Sequence, residues 1–233
     1  MTGRLERSEM APLVLWHVPQ ARSFRVLWML EECGLDYELR RLSFFDRSLR
    51  RPPYSGINPL GRVPALEIGD RVMTESLAIL EWLAETGPVS GLWRAPGAAE
   101  RMAWLELLHL AETVGQHLAI LTQQHVVLRE DHMRSPVVMM LEARRLARAF
   151  GVLEQRLADG RDWLLAGGFS AVDIANHYGA WIGRRFVALE DFPRLAAWAA
   201  RCEERPAFRR ALGRDGPAEI YTRDFYPVPE EGR

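Results

Sequence analysis

Apolar positions follow two regimes along the chain. In the first third they come in short runs: Leu13-Val14-Leu15-Trp16 is a continuous apolar stretch of the kind a buried strand carries. Val26, Leu27 and Leu30 then recur at helical spacing over residues 23–33 until Gly34 stops them, and residues 37–42 alternate as a strand does. A proline-bearing loop over 46–61 leads to a further strand entered at Val63-Pro64. Gly69-Asp70 predicts a hairpin turn into Arg71-Val72-Met73, and a helix follows over 77–85. Residues 87–97, rich in Pro and Gly, predict a linker. From Ala98 onward the periodicity is helical, with long segments over 102–128 and 136–157, and Phe192-Pro193 and Arg205-Pro206 punctuate the last helices.

The order strand, helix, strand, then strand, strand, helix predicts an α/β N-terminal domain of the thioredoxin-like kind over residues 11–87. An all-α C-terminal helical-bundle domain is expected over 98–233. Within it, Ser170-x-x-Asp173 reads as a capping box in which Asp replaces the usual Glu, nucleating a buried helix.

Composition narrows the function classes. A chain of 233 residues with 48% apolar content can bury sizeable cores, and 30 basic against 31 acidic residues leave a net charge of −1. No global field points to nucleic acid or an anionic membrane. Two cysteines, Cys33 and Cys202, make neither a disulfide framework nor a CxxC pair, so a cytoplasmic location is expected, with Cys33 read as core. The start of the chain mixes Arg4, Glu6, Arg7 and Glu9 without an apolar run suited to secretion or membrane spanning, and reads as a tail. His109, His117 and His125 recur every eight residues, which turns successive members by about 80° and lacks the i,i+4 pairing of helical metal sites. No metal is expected.

Chemistry concentrates at Arg62-Val63-Pro64-Ala65-Leu66 and at Glu75-Ser76. A proline cannot donate to a sheet ladder, so Pro64 at a strand entry predicts an edge or a special turn. If the Val63-Pro64 bond is cis, Val63 turns its N–H and C=O outward to pair with an extended ligand backbone. Glu75-Ser76 opens a helix, where free N–H groups and the dipole favour a carboxylate and Glu75 can answer an ammonium. Together they predict a peptide-binding edge for a small zwitterionic peptide.

The run Asn58-Pro59-Leu60-Gly61-Arg62-Val63-Pro64 with Glu75-Ser76 resembles the glutathione site of the cytosolic glutathione S-transferases, in a bacterial or fungal type of member. The likeness extends to Leu13-Val14-Leu15-Trp16, to residues 25–38 and to 169–175. It implies glutathione as co-substrate, with the Val63 backbone on the cysteinyl unit, Pro64 shaping the turn, Glu75 and Ser76 on the γ-glutamyl end and Arg62 on the glycyl carboxylate. It further implies a homodimer that conjugates glutathione to a small hydrophobic electrophile held by the helical domain, in a detoxifying role. Thiol activation is expected just after the first strand, in residues 17–25. That segment has no tyrosine, and Gln20 and Ala21 stand where serine-type members carry their catalytic serine, which leaves Ser23, Gln20 and Arg22 as candidates. Ser23 alternatively caps the first helix, and His17 either orients the loop, lines the second-substrate pocket or is a packed, hydrogen-bonded histidine. Glu112 lies in a segment similar to one on the dimer-facing helix of some fungal and bacterial members, so it borders the cleft or is a solvated or interface carboxylate. Tyr221, Phe225 and Tyr226 cap an apolar pocket or pin the tail. A glutathione-dependent isomerase, dehalogenase or reductase, and a non-catalytic glutathione-binding scaffold, stay open beside the transferase.

Overall fold

The computed structural model of the protein describes residues 11–228; the tail expected at Arg4, Glu6, Arg7 and Glu9 lies outside them. The chain forms two compact units. One comprises the residues up to Ala98 together with Glu203–Glu219, and the other comprises Ala99–Cys202 together with the residues from Ile220.

The first unit is built on a four-stranded sheet of order β2-β1-β3-β4, from β1 (Leu13–His17), β2 (Glu38–Arg41), β3 (Ala65–Ile68) and β4 (Arg71–Thr74). β1 runs parallel to β2 and antiparallel to β3, so Leu15 faces Leu39 on one side and Leu66 on the other. A strand paired on both sides and covered on its faces needs a continuous apolar run, which β1 supplies. Helix α1 (Ser23–Cys33) is buried almost all round and ends at Gly34, whose φ of 58° lets its N–H return to Glu31 O while Leu35 N–H reaches Leu30 O at 3.1 Å. The one-turn helix α2 (Tyr54–Ile57) precedes β3, and α3 (Ser76–Thr86) follows β4.

Of the two readings of Pro64, an edge or a special turn, the structure has the turn. β3 is an interior strand, paired to β1 and β4, with its ladder beginning at Ala65 opposite Trp16 and Thr74. Pro64 therefore sits just ahead of the ladder, in a cis bond, where its missing N–H interrupts nothing. The expected docking edge is the open end of an interior strand.

The last helix of the first unit, α8 (Pro206–Asp215), comes from the far end of the sequence. Sequence periodicity alone predicts one helical domain over 98–233. Packing places 203–219 with the sheet unit instead, because α1 needs a cover for its outer face. Phe208 sets its ring edge-on to Phe24 and Trp28 at centroid distances of 5.5 and 5.1 Å. Charge fixes the register of the two helices: Arg205 holds Glu32 through two bonds of 2.6 and 2.8 Å, and Arg210 donates to the Glu31 carboxylate at 2.8 Å and to its carbonyl at 2.9 Å. Burial pushes the Glu31 carboxyl up, but hydrogen bonds from Tyr37 and Arg210 and the charges of Arg214 and Arg210 outweigh it and hold the group below its ordinary value.

The second unit is helical. Its longest helix, α4 (Arg101–Thr122), passes into a π turn at Gln123–Val127, so the helix expected over 102–128 changes its hydrogen-bond spacing at the end. α5 (Pro136–Arg156) starts with Ser135 accepting from Val138 N and proline in the first turn. α6 (Ala171–Gly183) is buried along its whole length. It lies so close to α4 that a Cβ on Gly179 would stand 2.6 Å from Val114 Cγ1. The expected capping box is present: Asp173 accepts from Ser170 N at 2.9 Å, and the same carboxylate also takes Leu164 N and the indole N–H of Trp198 in α7 (Pro193–Glu204). Of the tail aromatics, Tyr226 stacks on Phe186 at 5.3 Å and Tyr221 bonds Thr122, so both pin the tail, while Phe225 is exposed. Among the described residues no helix is long and apolar enough to cross a membrane.

Candidate functional site

The approach to β3 is held from behind. The Arg62 carbonyl accepts from the Tyr54 hydroxyl and, at 2.8 Å, from Asn58 Nδ2, while Asn58 Oδ1 takes Leu60 N at 3.1 Å. Asn58 and Tyr54 are both buried, and burial pushes the Tyr54 phenol up to about 12, so it stays a donor. With the Arg62 carbonyl clamped and a proline following, Val63 has a restricted backbone. Among the described residues neither its N–H nor its C=O has a hydrogen-bond partner. A half-exposed backbone donor and acceptor in fixed orientation is what an extended peptide pairs with.

The start of α3 supplies the second half. Glu75 is exposed and adopts φ 65° and ψ 107°, a left-handed setting that costs a non-glycine residue about 1–3 kcal/mol and is typically kept for a purpose. Ser76 is buried, and its hydroxyl accepts from Nη1 of Arg25 at 3.2 Å. Arg25 is itself fully buried in α1, so a positive charge lies within the unit beside the helix N-terminus. Cation, helix dipole and free first-turn N–H groups all favour a carboxylate there, and the Glu75 side chain favours an ammonium next to it.

The turn after β1 carries the thiol-chemistry candidates, and it is tightly knit. Ser23 Oγ lies 2.8 Å from His17 Nδ1, bonds the Val18 carbonyl at 3.3 Å and accepts Val18 N at 3.2 Å. The other ring nitrogen of His17 lies 3.1 Å from the Asp215 carbonyl and 3.2 Å from its carboxylate. Gln20, at φ 60°, donates its N–H to both carboxylate oxygens of Asp215, at 3.1 and 3.3 Å. His17 and Ser23 are fully buried, Gln20 nearly so, and Arg22 alone of the three catalytic candidates is partly exposed.

The structure thus brings His17, Gln20 and Ser23 together, with Arg22 beside them. His17 is the packed, hydrogen-bonded histidine rather than a pocket-lining one, since both nitrogens are engaged inside the first unit. Ser23 spends its hydroxyl on local turn geometry and does not face outward. Glu112 lies half-buried on α4 in the other unit. A concavity of about 380 Å³ in that unit is lined by Leu189 and Phe225 and by four charged side chains, Arg184, Arg185, Glu190 and Asp224. Sequence reasoning missed the supports: Tyr54, Arg25 and Asp215. An arginine interrupting the apolar run Phe24 to Leu30 is a signal for Arg25, whereas nothing local marks Asp215, which is 198 positions from His17. Cys33 and Cys202 are both buried. Among the described residues no group of three or more potential metal ligands gathers.

Known proteins similar to this chain fall in one family. Residues 21–86 match the family model of the glutathione S-transferase N-terminal domain, and residues 122–206 match that of the C-terminal domain. Glutathione S-transferase 3 of Zea mays is 30% identical over 217 residues, covering 87% of this chain and 94% of the relative. A disulfide-bond oxidoreductase of Escherichia coli, YfcG, is 29% identical, with 85% and 93% covered. Among solved structures, a glutathione transferase from Burkholderia graminis, crystallised with two glutathione molecules per subunit, superposes with a TM-score of 0.76 at 27% identity, covering 86% of this chain and 87% of that one.

Proposed function

We infer that this chain, which belongs to the glutathione S-transferase family, conjugates glutathione to a small hydrophobic electrophile, working as a cytoplasmic homodimer in detoxification. The observation that carries the reading is the pairing of Val63, with its open backbone N–H and C=O, and Glu75-Ser76 at the N-terminus of α3 backed by buried Arg25. Glutathione matches that arrangement group by group. Its cysteinyl backbone pairs with Val63, its γ-glutamyl carboxylate meets the α3 N-terminus and Ser76, its ammonium meets Glu75, and Arg62 takes the glycyl carboxylate. The sulfur is thereby aimed at the turn over Gln20 and Arg22 at the N-terminal end of α1, whose dipole favours thiolate over thiol. The thiolate attacks the electrophilic carbon and the leaving group departs with the bonding pair. Orientation and thiol ionisation supply the rate.

The test is direct. Titrating the protein with glutathione and following thiolate absorbance, then adding an activated aryl halide, should show ionisation of the bound thiol near neutral pH and a thioether product. Binding with no thiolate signal and no product would instead leave a glutathione-binding scaffold.

A disulfide reductase is the second reading, favoured by the Escherichia coli relative's oxidoreductase name and by the two glutathione molecules in the Burkholderia structure. Cys33 and Cys202 are both buried, so the sulfurs of that reaction would come from glutathione and the substrate. The products separate the two: mixed disulfide and oxidised glutathione on one hand, thioether on the other. Isomerase and hydrolytic dehalogenase chemistry would return glutathione unchanged, and reductive dehalogenation would oxidise it as it replaces halogen by hydrogen.

A further inference from the structure

The end of α8 grips the turn that follows β1. Asp215, the last residue of that helix, is 2% exposed and offers its carboxylate to the Gln20 N–H at 3.1 and 3.3 Å, with His17 Nε2 3.2 Å away. His17 in turn holds Ser23 at 2.8 Å, so a single carboxylate ties both flanks of the turn. The next residue, Gly216, has φ 112°, and a Cβ there would stand 3.0 Å from Pro19 Cγ, which means that the backbone leaving α8 touches the turn directly. Arg41 of β2 closes the arrangement by donating to the Arg214 carbonyl at 2.7 Å. Gln20 is held in a left-handed conformation that its own side chain does not favour, and the partner that its N–H finds there is Asp215.

We propose that Asp215 is a positioning residue for the transferase reaction, acting through Gln20 to hold the turn at the geometry that ionises and aims the bound glutathione thiol. The inference rests on the reading that this turn attends the thiol. Because Val63, Glu75 and Ser76 hold the peptide from other elements, Asp215 acts on the chemical step and leaves affinity alone. An asparagine can still accept from Gln20 through its amide oxygen, and the His17 Nε2–H keeps the Asp215 carbonyl as its acceptor at 3.1 Å, so Asp215→Asn preserves the hold on Gln20 and Asp215→Ala removes it.

Full-length wild type, Asp215→Ala, Asp215→Asn, Gly216→Ala and Arg210→Ala are compared for kcat, glutathione Kd, thiolate absorbance of the complex and melting temperature. Arg210→Ala loosens α8 through its Glu31 contact without touching Asp215. A displacement of the turn on the order of 1 Å is worth up to a hundredfold in rate. Asp215→Ala and Gly216→Ala should each lose at least tenfold in kcat and most of the thiolate signal, with Kd changed by less than about threefold. Asp215→Asn should recover both, and Arg210→Ala should melt earlier with kcat and thiolate unchanged. Unaltered kcat in Asp215→Ala overturns the proposal. So does an equal loss in Arg210→Ala, which would reduce the contact to general docking, and if Asp215→Ala does not fold, unaltered kcat in Gly216→Ala does the same. A wild-type complex that binds glutathione without any thiolate signal overturns the transferase reading itself, and this inference with it.

Discussion

Glu75 has two separable properties, its charge and its backbone. The φ of 65° is imposed by the passage from β4 into α3, so an alanine there inherits the same strain and the same neighbours. Glu75→Ala should therefore leave the melting temperature within about 1 °C while weakening glutathione roughly tenfold, the worth of one charge-assisted contact. Calorimetric titration beside a thermal melt checks this, and an unchanged Kd removes Glu75 from the site. The same separation explains which side chains the sequence exposed to view. Val63, Pro64, Glu75 and Ser76 announce themselves because proline and a helix start have local signatures. Asp215 has none, since its effect on Gln20 depends on a contact spanning 195 positions.

Helix boundaries were readable wherever a local stop or start existed. α1 runs over the expected residues because Gly34 reverses the chain, and α5 begins at Pro136 behind its serine cap. The π turn closing α4 was not readable, as its residues keep helical character and only the hydrogen-bond spacing changes. The start of α6 is organised by one side chain. Asp173 satisfies three buried donors, from Ser170, Leu164 and Trp198, and so joins the helix start to the preceding loop and to α7. Asp173→Ala should cost about 3–5 kcal/mol by orphaning those donors. Urea unfolding of the variant checks this, and a loss under about 1 kcal/mol would mean that water replaces the carboxylate.

Stability of the protein as a whole should carry a histidine signature in acid. His125, in the π turn, packs between Phe186 and Tyr226, and burial first, then the charges of Arg134 and Arg223, push it down from 6.5 to about 4. The folded protein keeps this imidazole neutral while the unfolded chain protonates it near 6.5. Its contribution is thus complete above pH 6.5 and is lost as pH falls toward 4. With the ring half-exposed, roughly 1–2 kcal/mol is expected. Denaturation midpoints of wild type and His125→Gln between pH 7.5 and 4 test it: the wild type should fall more steeply, and parallel curves would rule the effect out.

The route of the chain gives α8 one more consequence. In connectivity the larger part of the helical unit, Ala99–Cys202, is an insertion into the sheet unit, since β1 to α3 are made early whereas the segment that completes their packing, Glu203–Glu219, is made late. On a ribosome emitting about 5–20 residues per second, the sheet waits on the order of ten seconds for its final helix. During that interval the outer face of α1, with Phe24 and Trp28, is left without Phe208. Synthesis therefore delivers Val63, Glu75 and Ser76, the residues proposed to hold glutathione, before it delivers Asp215, the residue proposed to set the thiol turn.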